Sequence, residues 1–156
     1  MRLPSFSPSF LAVLLATIFT PCLTFAESAG FSFQEKAGES LDVLRDGKII
    51  ARYMNGHDVS TPARQAETYK PYLHVFDAAG TGPITKGAGG LLPHHRGIYL
   101  GWNKLGVGGK TYDRWHMKGG DQVHEKFLAK SADKDRATFT SLVRWQGETP
   151  DATVLE

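Results

Sequence analysis

The sequence predicts an all-β fold, an antiparallel β-sandwich. Three observations carry that expectation. Apolar residues alternate with polar ones over short runs, which suits strands buried on one face. Turn residues punctuate those runs at short intervals. After the first 26 residues no long run carries helical periodicity. About eight strands follow from this pattern, and an array of short strands separated by turns packs as a sandwich or barrel.

Taken in order, Phe31-Ser32-Phe33-Gln34-Glu35 alternates and opens the array. Leu41 to Arg45 and Lys48 to Met54 flank Asp46-Gly47, a dipeptide suited to a tight hairpin turn because both positions tolerate positive φ. Residues 57–70 are polar and contain Pro62, with one helical turn or a loop from Ala63 to Tyr69. Pro71 to Phe76 resumes strand character. Residues 77–90, rich in Gly, Ala and Thr, form a loop with a short extended piece at Pro83-Ile84-Thr85. Ile98 to Asn103 is expected to be a strand, with Ile98, Leu100 and Trp102 on one face. Gly101 on that strand leaves room for a neighbouring backbone or a ligand. Gly106-Val107-Gly108-Gly109 is a turn and not a phosphate-binding loop, since no helix-forming run follows it. Gln122 to Lys130 and Arg136 to Trp145 alternate on either side of a polar turn, and a last strand starts at Ala152.

The first residues belong to a different class. Arg2 is the only charge before Glu27, an apolar run spans Phe10 to Phe19, and Thr24-Phe25-Ala26 ends the segment. That arrangement describes a secretory signal peptide cleaved after Ala26, with domain residues 27–156 exported to the periplasm or beyond the cell. The run is shorter than the roughly 20 apolar residues of a spanning helix, so no membrane association is expected after cleavage. The sole cysteine, Cys22, falls in the signal, which removes thiol catalysis and cysteine metal sites from the exported domain. Without Arg2 the bases number 17 against 16 acids, too balanced for a nucleic-acid binder. The chain stops within a strand-like run, Thr153-Val154-Leu155-Glu156, and the domain is expected to be truncated there.

Candidate chemistry centres on Leu91-Leu92-Pro93-His94-His95-Arg96-Gly97-Ile98-Tyr99. On a regular strand adjacent histidines point to opposite faces, but between Pro93 and Gly97 a turn lets both rings converge. Imidazoles titrate near neutral pH and suit general acid–base work. His94 and His95 are therefore candidate catalytic residues, with Arg96 to orient a hydroxyl or hold a carboxylate. The competing reading gives one ring to buried main-chain groups, the other to solvent, and Arg96 to a strand-edge ion pair. His74, His116 and His124 widen the pool, and a site of His74, His94, His95 and His124 requires their strands to be neighbours. Trp115, flanked by Asp113, Arg114 and His116, is a candidate pocket wall able to stack on a sugar face, whereas Trp102 and Trp145 lie in apolar alternation and suit the core. Asp113, Asp121 and Glu125 lie near the histidines in sequence, but no motif pairs them as glycosidase chemistry requires. Neither HxH nor HExxH occurs, so no metal ligands are assigned. No Gly-x-Ser-x-Gly elbow is present.

The series Lys70-Pro71-Tyr72-Leu73-His74, Leu92 to Tyr99 with its His-His-Arg-Gly, Asp113-Arg114-Trp115, His124 and Ser141 to Trp145 resembles the PmoA-like secreted bacterial proteins. That family is a domain of unknown function sometimes labelled methane oxygenase PmoA. Val75 stands where the family tends to have proline, and Leu91-Leu92 replaces a frequent Asp-His. The resemblance spans residues 41–156 and implies a β-rich fold in a longer protein of which this chain is the N-terminal portion. A membrane oxygenase subunit needs several spanning helices, so the label is not taken as an activity. The family's sandwich is similar to the sugar mutarotase supersandwich, where a histidine is the acid and a late glutamate the base, an analogy of fold alone.

Together these readings predict an exported sandwich protein that binds or acts on carbohydrate. His94, His95 and Arg96 are the catalytic candidates, and His74, Trp115 and His124 the substrate-binding ones. The alternatives are a non-catalytic ligand-binding or structural protein, and a copper or zinc site. The cofactor is left unassigned.

Overall fold

A computed structural model describes residues 30–156; the predicted signal peptide and Cys22 lie outside them. Nine strands and one short helix make up the described chain. β1 (Phe31–Lys36), β2 (Ser40–Arg45), β3 (Lys48–Met54) and β4 (Tyr72–Val75) form an antiparallel meander in sequence order. β5 (Leu105–Val107) and β6 (Lys110–Tyr112) make a small hairpin, and β7 (Gln122–Ala132), β8 (Ala137–Gln146) and β9 (Thr153–Leu155) a second meander. The fold is mostly antiparallel β and sandwich-like, as the alternation predicts. α1 (Pro62–Thr68) lies in the β3–β4 connection.

Turn chemistry places the first hairpin. Asp46 and Gly47 both have positive φ, 51° and 76°, the conformation a two-residue hairpin turn requires. Register then sorts the faces. Phe33 opposes Val43, and Leu41 opposes Tyr53, which opposes Leu73. Leu41, Val43 and Tyr53 on that face are buried. The opposite face carries Asp42, Arg52 and His74 side by side, with a two-pronged Arg52–Asp42 ion pair at 2.5 and 2.8 Å.

The two meanders meet through aromatic rings. The Tyr53 ring lies 5.2 Å from Phe139 and 6.1 Å from Phe127, and Phe33 meets Phe139 edge-on at 6.4 Å. Edge-to-face pairs at such spacings add to the area they bury. Tyr53 Oη also meets Ser141 Oγ at 2.9 Å, and Phe31 N–H donates to Asp133 O at 2.8 Å, joining the sheets at two levels.

One strand expectation fails. Residues 98–103 are not a strand; only an isolated bridge joins Ile98 to Leu73 on β4. Ile98, Leu100 and Trp102 are 59%, 71% and 52% exposed, so the alternating face is not covered. Trp102 tilts against Trp145 at 5.8 Å, and only Trp145 is buried. The reason lies in what the segment pairs with. Arg114 N–H donates to Trp102 O at 2.8 Å, and a Cβ on Gly101 would sit 2.3 Å from Arg114 O. The segment therefore packs as a loop strap against the 113–120 turn. The room predicted at Gly101 is filled by main chain.

Candidate functional site

The His-His-Arg-Gly turn is built by a lysine, an arginine and a glycine. His95 N–H donates to Leu92 O at 3.1 Å, closing a turn that contains Pro93 and His94. The Lys86 ammonium reaches Gly87 O, Gly89 O, Leu92 O and His95 O at 2.5–3.1 Å, tying the glycine-rich approach to the turn. Gly97 has φ +37°, and a Cβ there would lie 2.3 Å from Leu73 O, so a side chain is excluded where the strap crosses β4.

Arg96 is 2% exposed, and its guanidinium is spent on main chain. Nη1 donates to Glu67 O at 2.7 Å and Nη2 to Ala66 O at 3.0 Å, while Nε and Nη2 donate to Pro93 O. These bonds satisfy carbonyls at the C-terminal end of α1, where a cation also complements the helix dipole. The guanidinium stacks 4.3 Å over the Tyr69 ring. Arg96 therefore positions the turn against α1. Burial and four main-chain bonds occupy the group that was expected to orient a substrate hydroxyl.

The turn does bring the two histidines together. The His94 and His95 rings meet edge to face at 4.3 Å, and His94 also meets His116 at 4.7 Å. Trp115, 37% exposed, stands 5.7 Å from His95 and 5.3 Å from Tyr99. His116 is oriented by Asp113: Nδ1 lies 2.8 Å from Asp113 Oδ2, and Asp113 Oδ1 accepts the His116 and Trp115 N–H groups at 2.8 and 3.1 Å. Burial tends to raise the Asp113 pKa, but these hydrogen bonds outweigh it and hold the carboxyl below the ordinary range. An ionised carboxylate only accepts, so His116 Nδ1 is the donor in this pair. His94 is pushed below the usual imidazole value by burial, then by His95, His116 and Lys70, with Asp113 opposing. Among the described residues, no group of three or more His, Cys, Asp or Glu is placed to hold a metal ion.

Lys70, 1% exposed, completes the cluster. Its Nζ donates to Trp115 O at 3.2 Å and lies 3.4 Å from the centre of the Tyr99 ring. Burial, followed by the neighbouring Arg96 charge, pushes its pKa down to about 7 against a smaller upward pull from Asp113. The Tyr99 hydroxyl is buried without a hydrogen-bond partner among the described residues. Lys70 also lines a cleft of about 450 Å³ with Glu67, Thr68, His57 and Tyr72.

The remaining two candidates stand apart from this cluster. His74 Nδ1 meets Thr85 Oγ1 at 2.9 Å, and its ring edge abuts Gly87, so it pins the glycine-rich loop to β4. His124 Nδ1 meets Ser141 Oγ at 2.7 Å, and its ring packs on Tyr53 and Phe127 between the sheets. Neither makes a hydrogen bond or ring contact with His94, His95 or Trp115 among the described residues. Alternation on β4 and β7 turns each of these expected substrate-binding rings into packed surroundings. Burial lowers the pKa of both.

Sequence reasoning missed Lys70 and the Asp113–His116 pair as site members. The Asp-x-x-His spacing within a turn was the available signal for the pair, and a lysine between Tyr69 and Pro71 the only one for Lys70. It also missed a second pair, His57 Nε2 with Asp121 Oδ2 at 2.9 Å, which Gln65 Nε2 joins at 2.8 Å. That triplet fastens α1 to the start of β7.

Residues 40–156 match the family described as "Family of unknown function (DUF6807)". The chain belongs to that family. The matched span holds every strand from β2 onward and the whole histidine cluster. No curated protein and no solved structure matches the chain. Among the described residues of this DUF6807 member, no helix is long and apolar enough to cross a membrane.

Proposed function

We propose that this DUF6807 protein binds carbohydrate, and acts on it, at the cluster of His94, His95, His116 and Trp115. The observation that carries the reading is the half-open Trp115 ring beside three imidazoles packed against one another. An indole face complements the apolar C–H face of a pyranose, and the imidazoles supply acceptors for its hydroxyls. His94, whose pKa is lowered, and His116, oriented by Asp113, are the bases of the site. His95 packs against Trp115 and forms the second wall. Kinship with the PmoA-like secreted bacterial proteins, and export after cleavage at Ala26, belong to the same proposal. They rest on the His-His-Arg-Gly series and on the apolar N-terminal segment.

The test is a panel of mono- and oligosaccharides titrated by calorimetry against the wild type and the variants Trp115→Ala, His94→Ala and His95→Ala. At least one saccharide should bind, and Trp115→Ala should weaken it about tenfold or more, the scale of a lost stacking contact. If no saccharide binds, the carbohydrate reading falls. Binding that survives in both histidine variants, with stability unchanged, removes the histidines from the site. Binding abolished by a chelator transfers the site to the copper or zinc reading.

A further inference from the structure

Lys70 has a role the acid–base reading does not use. A lysine is almost never fully buried unless paired with an anion. Lys70 is 1% exposed, and its one hydrogen bond goes to a neutral carbonyl, Trp115 O. The charged and titratable groups around it come from two elements. Arg96, from the histidine turn, disfavours the ammonium; Asp113, from the 113–120 turn, favours it; His94 stands nearby and is itself disfavoured as a cation by Lys70. The aromatic surroundings are Tyr69 and Tyr99, and the Tyr99 hydroxyl next to it has no partner. Structural lysines are held by carboxylates, as Lys130 is by Glu35. Here, with no carboxylate bonded to it, a desolvated amine stands over the ring of a tyrosine whose hydroxyl has no partner among the described residues, on a residue that lines a cleft.

We propose that Lys70 is a nucleophilic amine that forms an imine with a small aldehyde or ketone, and that the open-chain form of a reducing sugar is its reactant. The choice of a sugar rests on the carbohydrate reading above; the reactivity of the amine does not. A desolvated lysine is a good nucleophile because its lone pair is free near neutral pH. The Nζ lone pair attacks the carbonyl carbon, the C–N bond forms, and the C=O π pair moves to oxygen, which takes a proton from the Tyr99 hydroxyl. The amine loses one proton, the hydroxyl leaves as water after gaining another, and the iminium remains. The net reaction takes up one proton and releases one water, with no oxidant or reductant. An iminium acidifies the adjacent C–H bond, which a neutral imidazole can then deprotonate, the opening step of an isomerisation.

The test is reductive trapping on the intact chain. Propionaldehyde, or separately the tetrose erythrose, is incubated with the protein and cyanoborohydride at pH 7, and the modified lysines are mapped by peptide mass. Lys70 should be modified at least about tenfold faster than the exposed lysines Lys104 and Lys118, because at that pH about half of its amine is deprotonated against a very small fraction of theirs. The advantage should shrink towards pH 10, where ordinary lysines also lose their protons. Equal or slower modification of Lys70 by propionaldehyde overturns the inference, whatever sugars bind. Trapping with propionaldehyde but not with erythrose supports the amine and overturns the sugar as its reactant. Trapping with both, suppressed by a saccharide found to bind, supports both.

Discussion

Single residues decide the geometry of the histidine turn, and Gly97 is the most exacting. Its positive φ and the 2.3 Å that would separate a Cβ from Leu73 O leave no room for a side chain. Leu73 is main chain on β4, paired to Ile98 through hydrogen bonds of 2.8 and 2.9 Å, and cannot step aside. Gly97→Ala should therefore cost about 2 kcal/mol or more and displace His94 and His95. Denaturant unfolding reads the first, and the imidazole NMR shifts read the second. An alanine variant as stable as the wild type would show that the strap lifts off β4 easily. The sequence announced His94 and His95 because two histidines between Pro93 and Gly97 stand out. It could not announce Lys70, whose meaning comes from Trp115 and Tyr99, 45 and 29 positions away. The contacts of Arg96 were hidden for the same reason: its partners, Ala66 and Glu67, are carbonyls, and any residue supplies a carbonyl.

At the scale of elements, β4 and the loop that follows it behave as one unit through Thr85. Its Oγ1 meets His74 Nδ1 at 2.9 Å and accepts the Val75 N–H at 3.1 Å. Thr85→Val keeps the shape and removes both bonds, leaving a buried imidazole nitrogen unpartnered. A loss of about 1–3 kcal/mol is expected, with faster amide exchange confined to residues 83–90. Unchanged exchange there would mean that Lys86, not His74, holds the loop. Strands whose partners are close in sequence were legible: β2 and β3 are specified by their alternation and by Asp46-Gly47. The segment 98–103 alternates just as well and is not a strand, because β4 offers it one bridge and the 113–120 turn takes the rest. Periodicity shows that a segment can pair; it does not show that a partner strand is there.

For the whole molecule the histidines set an acid limit. His74, His94 and His124 each have a pKa below the ordinary 6.5, with burial as the first cause. As pH falls below about 6.5 the unfolded chain takes up protons at these sites before the folded one does, so stability falls with pH until the folded-state values are passed. Stability gained from these groups is fully present above 6.5. Urea midpoints measured between pH 7.5 and 4.5 should drop, and His124→Gln should flatten part of the slope. A midpoint independent of pH over that range would contradict the burial of these rings.

The uncovered strap of residues 98–102 has a practical side. Ile98 and Leu100 border an apolar cleft of about 300 Å³ that runs in between the sheets to Tyr53, Phe139 and Trp145. An environment-sensitive dye such as ANS can lodge there while the protein is fully folded. Fluorescence melts that depend on such dyes would begin from a bright native state and under-report the transition. Circular dichroism, or the emission of Trp145 as its burial is lost, is the sounder reporter of unfolding for this molecule.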